Sequence, residues 1–291
     1  MCEGRRQRRL TSEVTQLSNE TENHVQTHNQ KAAATWSSPG ARYDEISRGI
    51  SDSIEHCVMR LAPQAGERIL DLACGTGWAS RAVLAAAPGA TVFGADIASD
   101  LLATAQAKAA ERCLAIDYRL GDAERLPFET ASFDAVISTC GIMFASKQEA
   151  AASELSRVTR SGGRFGITTW KPDSTLMEMF TVMKAYLPPP PSPAPPSPFA
   201  WGDRERVEQL LGKSFELRFE EGTSWARAAS AEAAWDFWSQ SYGPMRALAA
   251  SLDDERRQAF RRDMIAFWNR FRTELGVNKP RQYLLTVGVR R

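Results

Sequence analysis

The stretch that decides the fold reads Asp71-Leu72-Ala73-Cys74-Gly75-Thr76-Gly77. The apolar run 68–72 predicts a buried strand, and the residues after Gly77 predict a helix over 78–87. Glycine permits a positive φ and a close approach of the backbone to a ligand, and two glycines stand here one residue apart. The pattern therefore predicts a strand, a ligand-contacting loop and a helix.

Outward from this stretch, short apolar runs alternate with helical patterns. Strands are predicted at 68–72, 91–95, 116–120, 135–138, 164–170, 215–219 and 283–289. Such alternation favours right-handed crossovers and a parallel sheet covered on both faces. Roughly fifty residues of helical pattern, rich in tryptophan and phenylalanine, separate the last two strands. The sequence therefore predicts an α/β, Rossmann-like fold with a seven-stranded, mostly parallel sheet and a helical cap inserted before the last strand.

The chain divides by composition into three parts. Residues 1–30 are polar, and we expect a disordered N-terminal extension there. Residues 31–170 hold the ligand-binding core with a lid helix at its start. Residues 171–291 complete the sheet, with a proline-rich loop at 188–198 and a helical substrate cap at about 230–276.

Composition and charge exclude several classes of protein. The net charge is +1, which provides no global field toward nucleic acid. There is neither an apolar run long enough for a membrane span nor a secretory signal. The five cysteines form no C-x-x-C pair and show no metal-ligand spacing, so free thiols in a reducing cytoplasm are expected. We predict a cytoplasmic monomer or homodimer that binds no metal.

Acidic residues follow successive strands and suggest the kind of ligand. Asp71 precedes Gly75 by four positions, and Ser80 stands where a nicotinamide fingerprint has its third glycine. A carboxylate at Asp71 would repel a pyrophosphate but would suit a ligand with an amino group and a sulfonium. Asp96 ends the next strand, where a carboxylate can bind ribose hydroxyls.

A third acid, Asp122, follows the third strand. Its carboxylate can accept a hydrogen bond from an exocyclic amine while the Ala123 amide donates to a ring nitrogen. Each acid also has an ordinary structural interpretation, because Asp71 could cap the following helix and Asp96 or Asp122 could stabilise turns. Their joint order along the strands favours the ligand interpretation.

In this pattern the chain resembles the class I S-adenosylmethionine-dependent methyltransferases, in particular the ubiquinone/menaquinone-biosynthesis-like small-molecule branch (methyltransferase type 11). The matching segments are DLACGTG at 71–77, GADI at 94–97, GDAERLPF at 121–128, SFDAV at 132–136 and RVTRSGGRF at 157–165. Ala73 departs from the family, which usually has glycine there.

The resemblance implies a role for each matched residue. Asp71, Gly75 and Gly77 would shape the methionine pocket, and Thr139 would lie near the sulfonium. Asp96 would hold the ribose, and Asp122 with Ala123 would contact the adenine. The cofactor-binding set predicted for S-adenosylmethionine, or its product S-adenosylhomocysteine, is Tyr43, Asp71, Gly75, Thr76, Gly77, Asp96, Ile97, Asp122, Ala123 and Thr139.

Several features leave alternatives open. Tyr43 and Trp36 could close over the cofactor as a lid or pack as an ordinary lead-in segment. His56 is expected in solvent, and His24 and His28 in the unstructured extension, so no catalytic residue is predicted. Methyl transfer to a small, fairly apolar acceptor through oxygen, carbon or nitrogen is the favoured function. The alternatives are a non-catalytic, S-adenosylmethionine-binding homologue that acts as a partner or scaffold and, less favoured, an NAD-dependent oxidoreductase.

Overall fold

A computed structural model of the chain describes residues 25–189, 192 and 194–291. Its centre is one sheet in the order β3-β2-β1-β4-β5-β8-β6, with the two-residue β7 paired to β8. The strands are β1 Arg68–Leu72, β2 Thr91–Asp96, β3 Ile116–Leu120, β4 Phe133–Thr139, β5 Thr159–Trp170, β6 Phe215–Ala228, β7 Arg272–Thr273 and β8 Gly276–Arg290. Strands β1 to β5 are parallel to one another, and β8 is antiparallel to both β5 and β6.

Eleven α-helices accompany the sheet in the described part of the chain. They are α1 Gln30–Ser37, α2 Tyr43–Arg48, α3 Ser51–Leu61, α4 Trp78–Ala86, α5 Ser99–Ala110, α6 Gln148–Val158, α7 Thr175–Lys184, α8 Arg204–Leu211, α9 Ala231–Ser241, α10 Gly243–Ser251 and α11 Asp254–Asn269. The strand order reverses at β1, so right-handed crossovers place α4 and α5 on one face of the sheet and α6 on the other. The predicted Rossmann-like fold is confirmed.

The helical cap also lies where the sequence predicts it. Helices α9, α10 and α11 all fall between β6 and β8. They end at Asn269 rather than near 275, because the chain turns there into the β7–β8 pairing. Both β6 and β8 are longer than predicted, since they pair with each other from Phe215 opposite Arg290 to Ala228 opposite Val277.

The structure corrects one predicted helix and contains another that was not predicted. The apolar spacing over 46–61 predicts one helix, but the structure has α2 and α3, separated at Gly49 and Ile50, where Ile50 has φ −120° and ψ 17°. Helix α7 is absent from the prediction. It buries Leu176, Met179 and Met183 and is capped by Ser174.

The start of the described chain is more structured than expected. A 3₁₀ turn spans Thr27–Asn29 and α1 begins at Gln30, so the expectation of disorder is wrong for residues 25–30. Tertiary hydrogen bonds supply the order that local sequence lacks, since His28 bonds the Glu124 carboxylate at 2.7 Å. Residues 1–24, with His24, lie outside the described residues.

The described residues contain no helix that is both long enough and apolar enough to cross a membrane.

Candidate active site

A cavity opens at the carboxyl ends of β1 to β4, beside the point where the strand order reverses. This is where open α/β sheets bind their ligands. The cavity encloses about 940 Å³, counted with its mouth. Seven of the predicted site residues line it: Tyr43, Gly75, Asp96, Ile97, Asp122, Ala123 and Thr139. Three do not line it: Asp71, Thr76 and Gly77.

The loop after β1 forms the floor of the cavity. Ala73, Gly75 and Gly77 all have positive φ, at 56°, 54° and 76°. A Cβ on Gly77 would overlap the Tyr118 hydroxyl, so this position requires glycine. Ala73 is strained in the left-handed region at a cost of about 1–2 kcal/mol, which explains physically why glycine suits this position.

Asp71 supports this loop from behind. Its Oδ2 accepts hydrogen bonds from the Ser80 amide at 2.7 Å and from the Ser80 hydroxyl at 2.6 Å, so it caps the first turn of α4. The side chain is buried, and its Oδ1 has no partner among the described residues. Burial raises the pKa of Asp71 to about 7.

Thr76 also acts within the protein framework. Its hydroxyl bonds the Ser47 hydroxyl at 3.3 Å, which connects the loop to α2. Its carbonyl accepts from Arg81 Nη1 at 2.6 Å. Thr76, like Asp71 and Gly77, shapes the loop without contributing to the cavity wall.

Asp96 joins the ends of β1 and β2. Its Oδ2 accepts from the Gly75 amide at 2.7 Å, and its Oδ1 accepts from the Ala98 amide at 2.9 Å. Burial raises the pKa of this carboxyl. Each carboxylate oxygen has two lone pairs, so one on each oxygen stays available for a hydroxyl of a ligand.

Asp122 is more fully engaged than its sequence position suggests. Its Oδ1 accepts from the Glu124 amide at 2.9 Å. Its Oδ2 accepts from Asn29 Nδ2 at 2.8 Å and from the Gln26 amide at 3.1 Å. Asn29 itself lines the cavity. Sequence reasoning missed Asn29, because nothing local distinguishes it from its polar neighbours.

An aromatic group closes the cavity from the N-terminal side. The Tyr43 ring lies 3.5 Å from the position that a Cβ on Gly75 would take. Trp36, from α1, makes edge contacts with Tyr43, Phe144 and Tyr242 at centroid distances of 6.0, 4.9 and 5.6 Å. Trp36 and Tyr43 therefore both belong to the cavity wall and, by position, cover the glycine loop.

Another wall of the cavity is formed by the end of β4 and the segment that follows it. Thr139, Cys140 and Gly141 line it, followed by a 3₁₀ turn over Ile142–Phe144. Burial raises the pKa of the Cys140 thiol to about 12, so it stays protonated at neutral pH. A Cβ on Gly141 would lie only 2.6 Å from the Ala73 Cβ. Glycine, which has no Cβ, therefore allows the two loops to pack closely.

No described histidine or lysine lines this cavity. His56, expected in solvent, instead bonds the Tyr283 hydroxyl at 2.9 Å through Nδ1 and Glu220 at 3.1 Å through Nε2. These contacts join α3 to β8 and β6. The sequence could not indicate them, since both partners lie more than 160 residues away.

Comparison of the sequence with known families and proteins gives consistent matches. A family profile described as a methyltransferase domain matches residues 69–163. An uncharacterized protein of Mycobacterium tuberculosis is 37% identical over 191 residues, which cover 65% of this chain and 69% of that protein. The demethylmenaquinone methyltransferase of Thermus thermophilus is 39% identical over 136 residues, covering 45% of this chain and 62% of that enzyme.

Solved structures share the fold. The YcgJ protein of Bacillus subtilis superposes with a TM-score of 0.57 at 17% identity, covering 83% of this chain and 99% of that one. A phosphoethanolamine N-methyltransferase of Haemonchus contortus, solved with S-adenosylhomocysteine, has a TM-score of 0.53 at 18% identity and covers 82% of this chain and 52% of that one.

Proposed function

The chain belongs to the class I S-adenosylmethionine-dependent methyltransferases, and from that premise we propose that its cavity binds S-adenosylmethionine and passes the methyl group to a small, fairly apolar molecule. The observation that carries the proposal is the meeting of Gly75, Asp96 and Asp122 around one cavity at the switch point of the sheet. The same edge of the sheet carries the ligand in other Rossmann-like folds.

The chemistry of the wall fits the three parts of this cofactor. Asp96 retains a lone pair on each oxygen for the ribose hydroxyls. The Ala123 amide and the remaining acceptor site of Asp122 suit the adenine edge, and Ile97 and Leu101 offer apolar surface beside it. The open backbone at Gly75 suits the methionine part, with Tyr43 above it and Thr139 at the sulfonium end.

When bound, S-adenosylmethionine supplies an activated methyl group on a sulfonium. The part of the protein is to align the acceptor atom with that methyl carbon and to exclude water. Trp36, Tyr43 and Phe144 provide the apolar cover for this task. Since Cys140 stays protonated and the carboxylates lie at the cofactor end, the described residues that line this cavity include no evident general base. An acceptor that is already nucleophilic at neutral pH suits this site best.

Three further assignments belong to the same proposal. The helical cap α9–α11 covers the acceptor, because its position before the last strand brings it beside the lid helices. The protein acts in the cytoplasm, where Cys57, Cys74, Cys113 and Cys140 stay as the free thiols that they are here. It works as a monomer or a homodimer.

The test is a methyl-transfer assay with isotope-labelled S-adenosylmethionine and a panel of small apolar phenols, amines and carbon acids. Transfer by the wild type, abolished in Asp96→Ala and retained in Asp134→Ala, supports the proposal. Asp134 is a matched control, because it binds the Arg68 amide at the opposite end of the sheet. Cofactor binding with no transfer to any acceptor would instead favour a non-catalytic homologue.

A further inference from the structure

A second cavity lies on the other side of the α2–α3 junction. It is bounded by α2, the end of β6 and the cap helix α9, and it encloses about 920 Å³ with its mouth. Ile50 lines the first cavity and the preceding residue, Gly49, lines the second, so the backbone of this junction separates the two cavities. The cavity therefore lies between α2 and the helical cap.

Arg281 is the buried charge of this second cavity. It is 2% exposed, and its Nη2 donates to the Gly49 carbonyl at 2.6 Å and to the Ser224 hydroxyl at 2.8 Å. Its Nε has no partner, and no carboxylate of the described residues lies within 4.0 Å of it. Asp52 is an exposed carboxylate that acts on it only from a distance.

A second buried basic side chain lies two residues before Arg281 on the same face of β8. Lys279 is fully buried, and its Nζ lies 3.4 Å from the Thr175 hydroxyl and 5.1 Å from the ring centre of Trp268. Burial and the neighbouring Arg281 lower the pKa of Lys279 well below its ordinary value. Burial therefore favours the neutral amine of Lys279, whereas the Arg281 guanidinium stays charged and has no anionic partner among the described residues. A buried cation is costly unless an anion pairs with it.

Trp268 supplies a second unsatisfied donor. It is 1% exposed and lines the cavity beside Arg281, and its Nε1–H has no partner among the described residues. A buried donor without an acceptor costs about 1–3 kcal/mol. A guanidinium Nε–H and an indole N–H that both lack acceptors, in the wall of one cavity, indicate a ligand that carries an oxyanion.

The other residues that line the second cavity also suit a ligand that carries an oxyanion. Arg48 and Arg227 line the cavity with Arg281, against the single carboxylate of Glu45. That carboxylate is already paired with Arg48 at 2.6 Å. Aromatic surface completes the lining, from Trp225, Phe237 and Trp238.

From this geometry we propose that the second cavity binds the methyl acceptor, and that the acceptor is an aromatic or alicyclic carboxylate. Arg281 and Trp268 hold the carboxylate, and the tryptophan and phenylalanine rings of the cap hold the body. The proposal rests on the proposed function, because it makes this cavity the acceptor side of the same reaction.

The reacting end of such an acceptor must pass the α2–α3 junction to reach the cofactor. Arg281 binds this junction directly, through the Gly49 carbonyl. Carboxylate binding is therefore coupled to the wall between the two cavities, and Arg281 acts as a positioning residue.

The experiment is calorimetric titration with benzoate, phenylacetate, cinnamate and indole-3-acetate, each against its primary amide, with and without saturating S-adenosylhomocysteine. The variants are Arg281→Lys, which keeps the charge but removes the guanidinium with its Nε–H, and Trp268→Phe, which removes the indole N–H but keeps an aromatic ring. Arg218→Met, an exposed arginine of β6 outside the cavity, is the matched control. S-adenosylhomocysteine affinity reports whether each variant keeps the fold.

We expect at least one carboxylate to bind about tenfold tighter than its amide, as charge-assisted hydrogen bonds require. Both cavity variants should lose most of this preference while Arg218→Met and the S-adenosylhomocysteine affinity stay unchanged. The proposal is overturned if no carboxylate binds, or if binding is equal in Arg281→Lys, Trp268→Phe and the wild type. If S-adenosylhomocysteine does not bind but the carboxylate preference stays intact, the result counts against the proposed function. The second cavity would then be an anion site unconnected with methyl transfer, and the acceptor assignment would be overturned as well.

Discussion

Asn29 donates from its Nδ2 to the Asp122 carboxylate at 2.8 Å, and this bond joins the start of the described chain to the end of β3. The Ser146 hydroxyl donates to Asn29 Oδ1 at 2.6 Å, so the amide connects two loops of the cavity rim. Asn29 is 3% exposed. Because α1 and Trp36 follow directly, this amide fixes the position of the lid above the cofactor cavity.

The first prediction is that Asn29→Ala lowers the affinity for S-adenosylhomocysteine by about tenfold, since a hydrogen bond to a charged group is worth about 1.5–3 kcal/mol. Calorimetric titration measures this change. Truncation of residues 1–24 is the control, because the bonds of Gln26 and Asn29 to Asp122 and of His28 to Glu124 involve none of the removed residues. Tighter binding by Asn29→Ala would mean that the segment competes with the adenine for Asp122.

The second prediction separates the ring of Tyr43 from its hydroxyl. Tyr43→Phe keeps the aromatic surface above Gly75 and should leave cofactor affinity nearly unchanged. Tyr43→Ala removes that surface and should cost roughly 2 kcal/mol of binding. Titration of both variants with the cofactor shows whether the ring or the hydroxyl contributes the affinity. Equal losses of affinity in the two variants would assign the contact to the hydroxyl.

The third prediction concerns pH and Asp71. Its pKa is about 7 in the fold against 3.8 as the ordinary value, so the folded protein holds a proton that the unfolded chain has released between these limits. The contribution of this group to stability is therefore lost as pH rises from about 4 to about 7. Asp71→Asn should gain stability relative to the wild type from about pH 5 to about pH 8. Urea unfolding at both pH values measures the difference, and a pH-independent difference would refute the assignment.

The fourth prediction uses one chemical change at two positions. Ala73→Gly should raise the free energy of unfolding by up to about 1 kcal/mol, because glycine removes the strain of a positive φ at a smaller entropic cost. Ala79→Gly, inside helix α4, should lower it by about 1 kcal/mol. Denaturant unfolding of the two variants gives the signs, and a loss of stability in both would show that the Ala73 Cβ packs favourably against Gly141.

The sheet and the cofactor edge could be predicted because their signals are local. Strand β1 is a short apolar run followed by the glycine loop, and β2 is one that ends at Asp96, so both can be recognised without tertiary information. Helix α7 was missed for the opposite reason. Its sequence is apolar on more than one face, and only packing against α11 and β8 fixes which residues are buried.

The missed contacts of the site all join distant parts of the chain. Asn29 and Asp122 are 93 positions apart, and neither position alone indicates the other. The same applies to Arg281, which reaches Gly49 across 232 positions and becomes a buried cation only through the fold. Charge type and position were visible in the sequence, whereas burial and the lack of a partner were not.

The most direct test of the central claim is calorimetric titration of the wild type and Asp96→Ala with S-adenosylmethionine, S-adenosylhomocysteine and NAD, with Asp134→Ala as the control for folding. We expect the wild type and Asp134→Ala to bind both sulfur ligands and not NAD, and Asp96→Ala to lose at least about tenfold in affinity while it stays folded. Binding of NAD alone, binding of none of the three, or unchanged affinity in Asp96→Ala would contradict the central claim.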